Sequence, residues 1–341
     1  MTITKVTDAG LNKARLATPL IVNGDMAIAQ RATSTSSVSS GSTFPADRYK
    51  FMPNALGTFT ISQSTTVPTG QGFSKSIKVD CTTANASPGD GSTLQLVQYL
   101  EGQNLQLLKK GTSSAEAVTI SFWVRSNKTG TYTLELYDND NTRQISQTYT
   151  ISSADTWEKK TVNFAGDTSG ALDNDNALSF AVQFWLATGA NYNNQTLSTS
   201  WSSVTQASRV SGSQVNIADN TANEWYITGL QMEIGTFDTN TIPAFPFESI
   251  DDNLRRCCRY FQDYASFKLW TTALDGNTTT RLGGVFAFNT TMRAAPSVSK
   301  TNNTGTIDSQ TITDKGYSVF AEKTDRGTTT NVTDIELDSE L

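Results

Sequence analysis

Six side chains stand where chemistry could gather: Trp123 and Arg125, Glu135 and Tyr137, Gln183 and Trp185. Each pair is separated by one residue inside a run that alternates apolar with polar. Each pair therefore occupies the non-core face of a predicted strand. Two indoles, a phenol, a guanidinium, a carboxylate and an amide are a rich set for a sheet face that ought to be solvated. Sugar rings lay their C–H faces on aromatic planes while planar polar groups take up hydroxyls, so the set fits a glycan platform. Aromatics and Arg also mark protein interfaces, so a face covered by another subunit or by flanking loops fits the same composition.

Other chemistries are removed by what the chain lacks. It holds no histidine, so no Ser-His-Asp or Cys-His nucleophile and no histidine zinc site can be assembled within it. An enzyme would have to be a carboxylate-pair glycosidase or lyase, and no spacing nominates the two acids. Asp138-Asn139-Asp140 and Asp173-Asn174-Asp175-Asn176 alternate carboxylates as hard cations prefer, yet neither has the later bidentate Glu, and turn chemistry accounts for both. Cys81, Cys257 and Cys258 form no pair of spaced CxxC motifs and read as reduced thiols. With a net charge of −6 and no basic block, a nucleic-acid partner is not expected. No apolar run approaches the roughly 20 residues that span a bilayer, and the first ten residues lack the build of a signal peptide. Synthesis in a cytoplasm and no membrane insertion are the expectation.

The elements that must position those side chains are almost all of period two. In Ala117–Ser126, Val118, Ile120, Phe122 and Val124 share one face. In Thr131–Tyr137, Tyr132, Leu134 and Leu136 do the same, and the Asp138–Asn141 turn leads into Gln144–Ile151, which makes a hairpin. Gly72–Cys81, Thr93–Leu100, Leu178–Leu186 and Trp225–Ile234 alternate likewise. Seven or more short strands parted by Gly, Asn, Asp and Ser turns predict an all-β, antiparallel sandwich.

Four segments follow from the punctuation. Residues 1–20 are a polar arm expected to order only against a partner, and 21–248 are the sandwich, closed by the stiff exit Ile242-Pro243-Ala244-Phe245-Pro246. Residues 249–262 predict a linker helix, with Ser249 as cap and Asp251 and Asp252 in its first turn. Leu254, Cys257, Cys258 and Phe261 fall on one helical face, and a lone apolar stripe of this kind needs a cover. A three-fold helical bundle is the simplest, which makes these four the predicted oligomer interface. Residues 263–341 return to period two, with an Asp275-Gly276 turn and strands at Leu282–Asn289 and Val332–Leu337, and predict a smaller β-sandwich domain.

Several local patterns occur in the order found in one family. Asn23-Gly24-Asp25-Met26-Ala27-Ile28-Ala29-Gln30-Arg31 resembles the "NGDF-x-x-x-QR" opening of bacteriophage tail-fibre and tail-associated proteins, and Asp47-Arg48-Tyr49 resembles their Asp-Arg-Tyr/Trp element. Gln98-Tyr99-Leu100-Glu101-Gly102 is similar to "Q-x-IEG", Ser121-Phe122-Trp123-Val124-Arg125 to "SFW-x-R", and Thr156-Trp157 to the "TW" turn. Ile227 to Gly235 resembles "I-T-G-x-QLE-x-G", and Leu254 to Phe261 resembles "EL-x-x-CQRYY". Met292-Arg293-Ala294-Ala295-Pro296 resembles "MR-x-x-P", and Leu337 to Leu341 resembles the "DAEL" ending. Met26 replaces the usual Phe, and Cys257-Cys258 replaces Cys-Gln.

The resemblance implies a virion protein. It implies a jelly-roll sandwich shaped like carbohydrate-binding modules, then a linker helix and a terminal β domain, assembled as a homotrimer. Residues 1–20 would dock to other virion tail proteins, and host cell-surface polysaccharide would be the ligand. It also implies that Asn23-Gly24-Asp25 lies where related sandwiches hold a structural calcium, although no cofactor is expected otherwise. The alternatives are a structural adaptor or decoration protein of the tail or head, and a polysaccharide depolymerase, for which the chain lacks a repeat β-helix.

Overall fold

This computed structural model describes residues 18–264, 280–301, 306–323 and 333–341. Most of the arm and the Asp275-Gly276 turn lie outside the described residues. Two compact units meet in sequence at Glu248 and Ser249.

The first unit carries β1 (Ser34–Val38), β2 (Thr43–Ala46), β3 (Tyr49–Asn54), β4 (Thr58–Ser64), β5 (Ser76–Thr83) and β6 (Thr93–Glu101). It continues with β7 (Val118–Ser126), β8 (Gly130–Asp138), β9 (Arg143–Ile151), β10 (Glu158–Phe164), β11 (Leu178–Thr188), β12 (Ser202–Ser203) and β13 (Glu224–Ile234). They form a six-stranded sheet in the order β1-β4-β5-β13-β7-β10 and a seven-stranded sheet in the order β12-β9-β8-β11-β6-β3-β2. Every pairing is antiparallel. The chain thus folds as the expected jelly-roll sandwich, with the predicted β8–β9 hairpin in place.

The core lies between the two sheets, where alternate residues of each strand meet. Phe122 of β7 sits edge-on to Phe184 of β11 and Tyr149 of β9, each with ring centroids 5.0 Å apart. Phe51 of β3 meets Phe59 of β4 at 5.6 Å in the same way. Edge-to-face rings add about 0.5–1.5 kcal/mol each beyond the area they bury, so these pairs pin one sheet to the other.

The opening Asn23-Gly24-Asp25 is a structural corner. Asn23 takes a left-handed backbone, φ 57°, and its fully buried amide is spent on Ile28 and on the Asp47 carbonyl. A Cβ on Gly24 would meet the Leu230 carbonyl at 2.2 Å, so only glycine fits there.

The second unit begins with α1 (Ile250–Cys258), capped by Ser249, whose hydroxyl accepts from the Asp252 amide at 3.1 Å. Arg255 and Arg256 occupy its last turn and oppose the acids of its first. Two antiparallel three-stranded sheets follow. One orders β14 (Phe261–Tyr264), β19 (Thr333–Asp338) and β16 (Ser297–Thr301), and the other orders β15 (Thr280–Ala287), β18 (Gly316–Lys323) and β17 (Thr306–Ile312). Phe288, Met292, Tyr317, Ile335 and Leu337 are the core of this unit.

The expected apolar helix stripe needs correction. The helix ends at Cys258, and Phe261 opens β14 instead of completing the stripe. Cys257, Cys258 and Phe261 are buried within the single chain, which leaves Leu254, at 37% exposure, as the one member of the four open to a partner. No helix among the described residues is long and apolar enough to cross a membrane.

Candidate ligand groove

The six residues proposed for one face occupy two. β7 belongs to the six-stranded sheet, and β8 and β11 to the seven-stranded one, so Trp123 and Arg125 lie on the opposite outer face from Glu135, Tyr137, Gln183 and Trp185. The last four do come together, because β8 and β11 are neighbours with Gln183 opposite Glu135 and Ala181 opposite Tyr137.

Within that quartet the roles differ from those expected. Glu135 and Trp185 are each 0% exposed. The segment between β11 and β13 drapes over the end of the sheet and seals them in. It is tied down by Arg209, whose Nε and Nη2 donate to the two Glu135 oxygens at 2.8 and 3.0 Å. Trp185 Nε1 donates to the same carboxylate at 2.8 Å. Ser146 Oγ donates to the Arg209 carbonyl at 2.7 Å, and the Ser211 amide donates to Thr133 Oγ1 at 3.1 Å.

The Arg209 guanidinium lies 5.1 Å from the Tyr137 ring and 5.2 Å from the Trp185 ring. Burial pulls down its affinity for the proton, but the charge and hydrogen bonds of Glu135 overcome that and hold its pKa above the ordinary arginine value. A buried, bidentate Arg–carboxylate pair with stacked rings is a rigid floor.

Above this floor a groove of about 260 Å³ runs across the sheet. Tyr99 of β6, Tyr137 of β8 and Tyr192 of the draped segment are half-buried along it, with Met52 of β3 between strands. Tyr192 packs on Trp185 at 5.4 Å between centroids, and Lys50 Nζ lies 5.4 Å from the Tyr99 ring. Burial pushes the Tyr99 phenol up, so it remains a neutral donor. Among the described residues, the Gln95 amide and the Tyr137 and Tyr192 hydroxyls have no hydrogen-bond partner. The groove therefore offers aromatic planes and unspent neutral donors and acceptors, on a base that is already satisfied. Among the described residues, no carboxylate lines it.

Tyr99, Gln95 and Met52 lie one or two strands away from the pairs singled out in the sequence. Tyr99 and Gln95 share the outward parity of Thr93 in a run recognised as a strand, so their positions were readable. Arg209 and Tyr192 sit in an aperiodic segment and gave no signal.

The corner beside the groove explains the acid-rich turns. Lys110, buried, places its ammonium on Asp138, on Asp167 Oδ2 at 2.9 Å, and on the Ser169 and Gly170 carbonyls at 3.0 and 2.8 Å. Arg143 Nε donates to the Asp167 carboxylate at 2.7 Å. Burial alone pushes the Asp167 carboxyl up, and bonds from Arg143, Lys110 and the Ser169 amide overcome this and hold it below its ordinary value. Asp140 accepts from the Asp173 amide at 2.9 Å, so the two turns brace each other.

No protein-family model matches the sequence, and no curated protein matches it significantly. Remote likenesses exist among solved structures. A putative sugar binding protein from Bacteroides thetaiotaomicron is 13% identical, with a TM-score of 0.34 over 64% of this chain and 100% of that one. A family 11 carbohydrate-binding module from Clostridium thermocellum, in complex with a mixed-linked tetrasaccharide, is 11% identical, with a TM-score of 0.29 over 60% of this chain and 97% of that one. The enzymatically active domain of tailspike protein 4 of bacteriophage CBA120 is 13% identical, with a TM-score of 0.33. That match covers 63% of this chain and spans 21% of the tailspike chain.

Proposed function

We propose that this chain is a non-catalytic bacteriophage tail-fibre protein, carried on the virion, that adheres to host-surface glycan through the groove of the seven-stranded sheet. The observation that carries the binding role is the set of half-buried rings of Tyr99, Tyr137 and Tyr192 over the satisfied Glu135–Arg209 pair. Tyrosine planes stack on the apolar faces of sugars, and Gln95 and Gln183 at the groove wall hydrogen-bond hydroxyls. With no carboxylate on the groove, the site presents no acid–base pair for glycoside cleavage. The virion role is supported by the ordered motifs from Asn23-Gly24-Asp25 to the Leu337–Leu341 ending. A homotrimer would multiply weak single sites into useful avidity.

Incubation with host-surface polysaccharide tests both halves. The protein should be retained on the polysaccharide, Tyr137→Ala should be retained at least about tenfold less, as loss of a stacking ring implies, and no reducing ends should appear. Equal retention of wild type and Tyr137→Ala, with both folded, would remove the groove from the account. Release of reducing ends would replace adhesion by cleavage.

A further inference from the structure

The other outer face, that of the six-stranded sheet, carries Trp123 and Arg125 of β7, Tyr226 and Glu224 of β13, Lys78 of β5 and Lys159 of β10. Most of these side chains are occupied. Arg125 binds Asp155 through Nε and Nη2, at 2.9 and 2.8 Å, and lies 5.0 Å from the Tyr226 ring. Lys78 pairs with Glu224 at 2.5 Å, and Glu224 also accepts from the Tyr226 hydroxyl at 2.7 Å. Trp157, just ahead of β10, packs edge-on to Tyr226 at 6.1 Å.

Two neighbours are different. Trp123 and Lys159 are directly opposite each other in the β7–β10 ladder, which places their Cβ atoms about 4.5–5.5 Å apart on one face. Both are half-buried. Among the described residues neither side chain has a hydrogen bond, an ion pair or a ring contact. Burial is the one influence on the Lys159 ammonium, and it lowers its pKa, as expected of a cation with no anion beside it. β10 is an edge strand of its sheet, with no further strand paired beyond it.

We propose that Trp123 and Lys159 form a second saccharide site, on the sheet opposite the groove, for a carboxylate-bearing sugar residue such as a uronic acid. A pyranose ring laid on the Trp123 indole brings a ring carboxylate within reach of an ammonium one strand away. The charge-assisted bond supplies the anion that Lys159 lacks. An acidic peptide would satisfy the ammonium but would leave the indole unused, which separates the two kinds of partner. The site is independent of the groove, so either can fail without the other.

The test is calorimetric titration of the full chain with oligogalacturonate, with a neutral oligogalactoside of equal length and with oligoglutamate. The variants are Trp123→Ala and Lys159→Met, which keeps most of the stem. Oligogalacturonate affinity should fall at least about tenfold in both Trp123→Ala and Lys159→Met, the loss expected for a stacking plane or a charge-assisted hydrogen bond. Thermal unfolding should confirm that both variants are folded. Three results would overturn the proposal: no binding of oligogalacturonate by wild type, equal binding by folded Trp123→Ala, or equal affinity for oligoglutamate.

Discussion

On the outer face of the seven-stranded sheet, Glu135, Arg209 and Trp185 satisfy one another before any ligand arrives. On the six-stranded sheet, the Trp123 and Lys159 side chains stand side by side with no hydrogen bond, ion pair or ring contact among the described residues. The first arrangement is pre-organised: the draped segment costs ordering free energy during folding, and the groove rings are then fixed where a ligand needs them. The second leaves the fold almost untouched and offers contacts that must be ordered on binding. The same residue types thus do two jobs. Buried in the draped half they hold the sandwich end together, and at the open edge they have only a partner to serve.

The largest expected effect breaks the first face. Glu135→Ala leaves Arg209 buried without its anion and Trp185 Nε1 without an acceptor. It should cost about 3–5 kcal/mol in urea unfolding, as loss of one member of a buried pair does. A cost under about 1 kcal/mol would mean that the draped segment is held by other contacts. Lys110→Met leaves the buried Asp138 carboxylate without its cation, while Asp167 keeps Arg143, and a loss of about 3 kcal/mol is expected by the same reasoning.

Acid sharpens the contrast next. The Asp167 carboxyl is held below its ordinary value in the fold, so its contribution is complete above the unfolded value of about 3.9 and is lost as pH falls through the lowered folded value. Urea midpoints should therefore drop below about pH 4 in wild type, with a shallower slope in Asp167→Asn. At the small end, Trp123→Ala should change stability by no more than about 0.5 kcal/mol, the range of surface substitutions. A larger change would show that Trp123 supports the fold.

The division between the two faces also marks what could be read from residues alone. Alternation in Val118–Ser126 and Gly130–Asp138 shows that one face of each strand is buried, and both strands were legible for that reason. It does not show which sheet a strand joins. Asn127–Thr129 carries the chain across from one sheet to the other, so strands adjacent in sequence put Trp123 and Glu135 on opposite sides of the molecule.

Outward parity misled at Trp185 for another reason: what covers it comes from an aperiodic segment rich in Ser, Asn and Gly, which carries no hydrophobic pattern to announce that it will lie down on the sheet. β10 was missed because Glu158 and Lys160 hold the inward parity of Val162 and Phe164, which breaks the alternation. Phe261 kept helical spacing from Leu254, but the chain had already left the helix at Cys258. Periodicity alone carries no information on where an element stops unless a cap does, as Ser249 does at the start of that helix.

The central claim is that the tyrosine-lined groove is a saccharide site. A glycan-array comparison of wild type with a Tyr99→Ala/Tyr137→Ala double variant tests it most directly, with thermal unfolding confirming that both are folded. Wild type should bind at least one bacterial surface saccharide, and the double variant should lose that signal by at least about tenfold. An array on which the two proteins bind the same saccharides with the same intensity, or on which wild type binds none, would contradict it.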